Sequence, residues 1–450
     1  VWADALQNFD IHTASTYGNR LLDSLGIAER CATTRDAHPA LRYAQSGLLA
    51  LTGRADAAPQ ICPAALASCA DGVLAALAAI TGPSHLDDID GGALLGERAA
   101  LMGLTRNGRI AAGGSCRLLE AADGWLALNL ARDDDWELLP AWLETEIQKD
   151  DWDSLANTLR ECPLDECIER GRLLGLAVAP APLEPVTAPW FRCEYHTEHK
   201  ARHVDASRSP LVVDLSSLWA GPLCTHLLQQ LGARVIKVES SRRPDGARLG
   251  NPDFYDLLNA GKASVALDFS TAEGRAQLQK LCARADIVIE ASRPRALRQL
   301  GIDAERLIDA NPGLTWVSIT GYGRAEPMAN WVAFGDDAAV AAGLSQRFQH
   351  CHGEPVFCGD AIADPLTGLH AALAAWHSYR RGGGQLLALA LRDVVAHCLA
   401  FDAAAPAVLR ERAGEWRTVI ERAGLLDTPL VARAPIGKAR DLGADNGDFR

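Results

Sequence analysis

The chain has 450 residues, with 44 Lys plus Arg against 57 Asp plus Glu and a formal charge of −13 at neutral pH. That length suggests two or three domains around a large core and excludes a small disulfide-stapled scaffold. The charge argues against a constitutive nucleic-acid or anionic-membrane binder, so any polyanionic ligand must meet a local basic patch.

Hydrophobic residues are 48% and aromatics only 6%; Ala and Leu carry the apolar share, which predicts many helices with closely approaching axes. No apolar run is long enough to span a membrane as a helix. The opening VWADALQNFD has neither a basic start nor an apolar stretch, so no secretory signal is expected. Twelve cysteines occur without a CxxC pair, several in apolar stretches, and read as reduced core residues of a cytoplasmic protein.

In chain order, residues 44–80 slide by 296 positions onto 340–376 without a gap, with 12 identities in 37. Ala-rich helices generate spurious matches, so the weight rests on Gly47 with Gly343, Pro59 with Pro355, Cys62 with Cys358 and Gly72 with Gly368. SCRLLEAADGWLALNL (115–130) holds two strand-like runs around Asp123-Gly124, a hairpin signal. Acidic, tryptophan-bearing helices follow at 134–145 and 150–170, and Asp133, Asp134 and Asp135 read as a helix start rather than a cation site. Proline-rich 179–190 leads to a polar, His-rich linker. Cys193, His196, His199 and His203 have spacings a metal could use but match no zinc module, so the segment reads as a solvated helical junction and no metal site is expected.

From residue 211, strand patterns at 211–215, 234–240, 263–269, 286–291 and 314–321 alternate with helices at 220–233 and 271–285. This predicts right-handed βαβ crossovers: an α/β fold with a Rossmann-like, doubly wound parallel sheet, beside a smaller α+β domain. The first strand is followed by SSLWAGP and not GxGxxG, so a dinucleotide is not expected. Ligands should gather over loops starting near 216, 240, 259 and 291. In ADPLTGLHAALAAW (363–376), Asp364-Pro365 starts a helix with an apolar stripe behind it. A carboxylate there is either a plain cap or, held ionised by the helix dipole, a nucleophile.

The ordered motifs LVVDLSSLWAGPLCTHLLQQLGARVIKVES, LLNAGKASVALDF, IEASRPRALRQLGID, NPGLTWVSITGYG, GDAIADPLTG and RRGGGQ resemble the class III coenzyme A transferases, over about residues 209–390. TPLVARAPIGKARDLGAD (428–445) is similar to that family's C-terminal return. Segments 116–139 and 152–185 resemble its small domain, which ordinarily follows the catalytic region and here precedes it. The resemblance therefore implies a contracted tandem: a degenerate, mainly helical repeat at 1–110, a small α+β domain at 111–190, a linker at 191–208 and a large CoA-binding domain at 209–450.

The resemblance places the nucleophile at Asp364, matched in the first copy by Ser68; Asp360 is the competing carboxylate. It implies acyl-CoA and a small carboxylic acid as substrates, no tightly bound cofactor, a homodimer, and neither nucleic-acid nor membrane partners. Leu218, Trp219 and Ala220 should line CoA, Asn259, Ala260, Gly261 and Lys262 take its adenosine side, and Ser292, Arg293 and Arg298 its phosphates. Basic loops at 240–248, 260–262 and 292–298 are the seat available on an acidic chain. Ser240 stands where the family has a basic residue, so Arg242 or Arg243 would substitute. The family's racemase branch needs a His within 330–343, where there is none; His350 and His352 come later. A catalytically degenerate CoA-binding subunit is the alternative outside enzymes.

Overall fold

A computed structural model describes residues 12–82, 86, 88–182, 184–199 and 208–449. The first ten residues and His203 lie outside the described residues. The N-terminal part is helical: α1 (Thr13–Ser24), α2 (Leu66–Thr81) and α3 (Glu97–Met102) are its elements nearest the site. Gly18 and Gly72 let α1 and α2 cross in backbone contact, since a Cβ on Gly72 would lie 2.5 Å from the Ala14 carbonyl oxygen and one on Gly18 2.5 Å from that of Gly72.

A small α+β unit follows. β1 (Cys116–Ala121), β2 (Gly124–Asn129) and β3 (Ala177–Pro180) form an antiparallel sheet, with α4 (Leu164–Leu174) packed on it over a core containing Leu126, Leu128, Trp142 and Leu155. The expected hairpin forms, closing on Ala121 opposite Gly124, so its turn centres on Ala122 and Asp123.

The large sheet has seven strands: β4 (Arg192–His196), β5 (Leu211–Leu215), β6 (Arg234–Ser240), β7 (Ala263–Leu267), β8 (Ile287–Glu290), β9 (Thr315–Thr320) and β10 (Gln385–Ala390). Its spatial order is β4-β10-β9-β8-β5-β6-β7, with only β4 antiparallel to its neighbour. Chain direction across the sheet reverses between β5 and β8, the switch point where doubly wound folds open a crevice at the strands' carboxyl ends. The α/β reading with a smaller α+β unit holds. Two strands went unread. Arg192–His196, expected within a helical linker, pairs with β10 at the sheet edge because Leu386 and Leu387 offer it a free backbone ladder. Around this layer pack α5 (Ala220–Gln230), α6 (Pro252–Asn259), α7 (Ala272–Arg284), α8 (Gly335–Ala341), α9 (Leu344–His352), α10 (Ala363–Arg380), α11 (Leu391–Phe401) and α12 (Pro406–Ala423). The C-terminal segment covers the other edge: Asp445 and Asn446 side chains accept the Ser264 and Ala266 amides of β7, each at 2.8 Å. No described helix is long and apolar enough to cross a membrane.

The repeat is wider in space than in sequence. The α5/α10 pair reproduces α1/α2: a Cβ on Gly368 would lie 2.6 Å from the Ala220 carbonyl oxygen, as one on Gly72 would from that of Ala14. Both α1 and α5 end alike, at left-handed Gly26 and Gly232, with Ile27 and Ala233 amides returning to the Leu22 and Leu228 carbonyls. Gly47 and Gly343 are both left-handed and each opens a helical turn. The equivalent thiols Cys62 and Cys358 hydrogen-bond to each other. Contact between equivalent residues is what a local two-fold axis between the two segments would give.

Candidate active site

Asp364 stands where three helices begin. It lies in the first turn of α10, and its carboxylate accepts the backbone amides of Ala220, at the start of α5, and Gly335, at the start of α8. Three positive helix ends favour the ionised form. Burial wins over them and over Arg98, and with Asp360 adding repulsion the pKa rises to about 6. The group remains mostly ionised at neutral pH. Gly335 must be glycine, because a Cβ there would collide with the Asp364 carboxylate and the Ala361 carbonyl. Ala361, three residues before Asp364, is itself left-handed at φ 44°. Leu218, in the turn before α5, is left-handed at φ 67°. Strain of this kind persists where surrounding structure over-determines it, commonly at functional sites.

Arg98 of α3 reaches this cluster from the N-terminal helical part. Its Nε donates to Asp360 Oδ2 at 2.8 Å and its Nη2 to Asp360 Oδ1, and its guanidinium lies 5.6 Å from the centre of a Trp219 ring. Asp360 is fully buried in this bidentate pair, whereas Asp364 keeps part of its surface. Geometry thus separates the two candidates: one is consumed in a salt bridge, the other open. Asp336, one residue into α8, accepts the Ala361 amide at 2.8 Å, and burial followed by Asp360 pushes its pKa up to about 7. The site is one guanidinium among three carboxylates.

The turn carrying Leu218, Trp219 and Ala220, expected to line CoA, lies against Asp364, whose carboxylate accepts the Ala220 amide. Trp219 is buried with its indole N–H unpartnered, and the Leu218 amide donates to Asp245 Oδ1 at 3.0 Å. Beneath the turn is an ionic knot. Lys262 is buried, its Nζ within 3.1 Å of Asp214 Oδ2, Thr225 Oγ1, Asn259 Oδ1 and the Pro222 carbonyl. Lys237 bonds the Ser216 carbonyl and Asp245. Burial pulls Lys262 down to about 8; Asp214, which burial alone would raise, is held at about 2 by the two lysines. Lys262 was expected to face the cofactor. All three of its donors are engaged inside the protein, so its part is to brace the turn. Asn259 and Ala260 are buried beside it, and Gly261 is left-handed at φ 83°.

The basic loops partly converge. Arg293 is disfavoured as a cation first by burial and then by Arg295, Arg132 and Arg243. Arg132 comes from the small unit and pairs with Asp135; no carboxylate partner is recorded for Arg243, Arg293 or Arg295 among the described residues. Guanidinium groups gathered in this way suit phosphate. A cavity of about 400 Å³ lies beside them, lined by Pro294, Arg295, Arg298 and Arg324. Arg298 also pairs with Glu305 at 2.7 Å, Arg242 with Asp268 at 3.0 Å, and Ser292 with Glu290 at 2.8 Å. Arg248 is taken by Glu239. His352, the racemase-type candidate, is bonded to the Ile61 carbonyl at 3.1 Å. No group of three or more metal-ligating side chains occurs among the described residues.

Sequence reasoning missed Arg98, Asp336 and Arg132. Arg98 sits in an Ala-rich helix 262 residues before Asp360, with no motif around it. Asp336 reads as an ordinary acidic helix start.

Residues 210–422 match the family model for CoA-transferase family III. A succinate–glutarate CoA-transferase from Agrobacterium fabrum is 34% identical over 206 residues, 42% of this chain and 52% of that protein. A formyl-CoA:oxalate CoA-transferase from Escherichia coli is 32% identical over 195 residues, 41% of this chain and 47% of that protein. Among solved structures, a CaiB/BaiF family protein from Brucella suis is 30% identical, with a TM-score of 0.39 over 51% of this chain and 59% of the other. The chain spans about half the length of the curated relatives it matches. The stretch that matches CoA-transferase family III, residues 210–422, contains Asp364, the switch-point crevice and the basic loops.

Proposed function

We propose that the protein moves CoA between an acyl-CoA and a carboxylic acid, with Asp364 as nucleophile. The observation that carries this is a partly open carboxylate at three helix starts, beside a crevice flanked by unpaired arginines. An Asp364 oxygen attacks the donor thioester carbonyl; the C–S bond breaks, CoA leaves as thiolate, and a mixed anhydride remains. The thiolate attacks the aspartyl carbonyl, expelling the donor carboxylate and leaving an aspartyl-CoA thioester. The acceptor carboxylate attacks that carbonyl, releasing thiolate and forming a second anhydride. Thiolate then attacks the acceptor acyl carbon, giving the new acyl-CoA and restoring Asp364. The amides of Ala220 and Gly335, which bond the Asp364 carboxylate, are the donors for the oxyanions that form at the aspartyl carbonyl in the second and third steps, worth about 10²–10³ apiece in comparable sites.

The CoA phosphates are assigned to Arg243, Arg293 and Arg295, with Arg132 closing the cluster from the small unit. Leu218, Trp219 and Ala220 line the cofactor next to the nucleophile. Relatives that transfer CoA to oxalate or between succinate and glutarate support a small carboxylate as acceptor. The test is a CoA-exchange assay over a panel of donors and acceptors. Turnover is expected in the wild type and a loss of about 10³-fold or more in Asp364→Asn. Full activity in that variant would refute the assignment. CoA binding without any turnover in the wild type would instead favour a non-catalytic CoA-binding subunit.

A further inference from the structure

A second polar cluster lies across the interface between the small unit and the large sheet, joined to the Asp364 site through the first turn of α8. Asp336 faces Asp364, and its neighbour Asp337 accepts the Phe334 amide at 2.9 Å and lies 3.4 Å from Asn129 Nδ2 of β2. Beyond Asp337 are Tyr322, which follows β9, and two arginines, Arg172 of α4 and Arg392 of α11.

Three buried polar atoms here are under-satisfied: Tyr322 Oη meets only the Arg172 side chain, and Asp337 Oδ2 and Asn129 Oδ1 have no hydrogen-bond partner. Their residues are 2%, 0% and 2% exposed, so water does not satisfy them from outside. Arg172 is the other anomaly. Its guanidinium carbon is 3.7 Å from the centre of a Trp331 ring and 5.2 Å from that of Tyr322; it hydrogen-bonds the Tyr322 side chain and, through Nε, the Val178 carbonyl at 3.3 Å. It has five N–H donors, and among the described residues no carboxylate pairs with it. Burial disfavours its charge, and Arg392, already paired with Asp393, disfavours it further. Tyr322 and Asp337 offset this only in part, since burial raises the Asp337 pKa to about 8.

A partly desolvated guanidinium bonded to a phenol but to no carboxylate is unfavourable unless an anion completes it. The opening is present: Arg172, Trp331 and Arg392 each keep part of their surface in solvent. We propose that Arg172, with Tyr322 and Arg392, binds a carboxylate of the acceptor other than the one that reacts, so that this protein selects acids carrying two carboxylates. The assignment to an acceptor rests on the transferase reading; the anion site at Arg172 does not.

The experiment compares succinate with butyrate, which differ in the distal carboxylate, in wild type, Arg172→Met and Arg172→Lys. The kcat/KM ratio of succinate over butyrate is expected to fall about 10- to 100-fold in Arg172→Met, chiefly through KM for succinate, with Arg172→Lys intermediate because it keeps charge but loses the fork. A second arm measures succinate and CoA binding separately by calorimetry, with no turnover required: succinate affinity should drop in Arg172→Met and CoA affinity should not. An unchanged ratio with unchanged succinate affinity would overturn the proposal. So would a loss of CoA affinity, which would assign the cluster to a cofactor phosphate. If no transfer occurs in any variant while succinate binding still depends on Arg172, the transferase reading fails and the anion site stands.

Discussion

In the proposed mechanism, Arg98 and Asp364 divide the work of a reactive carboxylate. Asp364 sits where burial alone would keep it protonated, and Arg98, the amides of Ala220 and Gly335 and three helix dipoles pull it back toward ionisation. Removing Arg98 therefore has a defined sign. In Arg98→Lys, and more so in Arg98→Ala, the Asp364 pKa rises above about 6, and the acid limb of the kcat/KM profile moves to higher pH by about one unit. An acid limb that stays in place would show that Arg98 serves only to hold Asp360. Asp364 was legible in the sequence because Asp-Pro at a helix start is a local pattern. Arg98 was not, since its contact with Asp360 exists only after distant helices pack. Lys262 was legible as a residue and misread in direction: a lysine in a loop gives no sign that an Asp, a Thr and an Asn will enclose it.

At the scale of elements, the site depends on how closely α8 approaches α10. The approach is set by Gly335, whose missing side chain makes room for the Asp364 carboxylate. Gly335→Ala should displace that carboxylate and cost about 10²-fold in kcat, since small misplacements of reacting groups have effects of this size. Gly414→Ala, on an open stretch of α12 with nothing within 4 Å, is the matched control and should leave activity in place. Equal activity in both variants would show that the α8 approach does not position the nucleophile. Elements with local signatures were read correctly: continuous apolar runs gave β5, β6, β8 and β9, and the hairpin signal gave β1 and β2. β4 and β10 escaped because one is polar and half-exposed and the other follows three glycines, so that pairing rather than composition makes each a strand.

Across the whole molecule, the two copies are not separate domains side by side. One continuous core runs from Tyr17 and Leu21 through Val73 to Leu366, Leu373 and Ile420, and a two-fold contact at Cys62 and Cys358 lies inside it. The first copy has Ser68 where the second has Asp364, yet it supplies Arg98 to the second copy's site. In the proposed mechanism it is thus part of the working machinery although it carries no nucleophile. The −13 charge also acquires a place: the cations proposed to meet a polyanion are gathered at Arg132, Arg243, Arg293 and Arg295, where the sheet reverses direction. The central claim is that Asp364 becomes acylated during turnover. The measurement is to incubate the full chain with acyl-CoA, trap with hydroxylamine, and map modified carboxylates by peptide mass spectrometry. A hydroxamate at Asp364 that appears only with acyl-CoA is the result expected; an unmodified Asp364 while CoA exchange proceeds, or a hydroxamate at Asp360 or Asp336 instead, would contradict it.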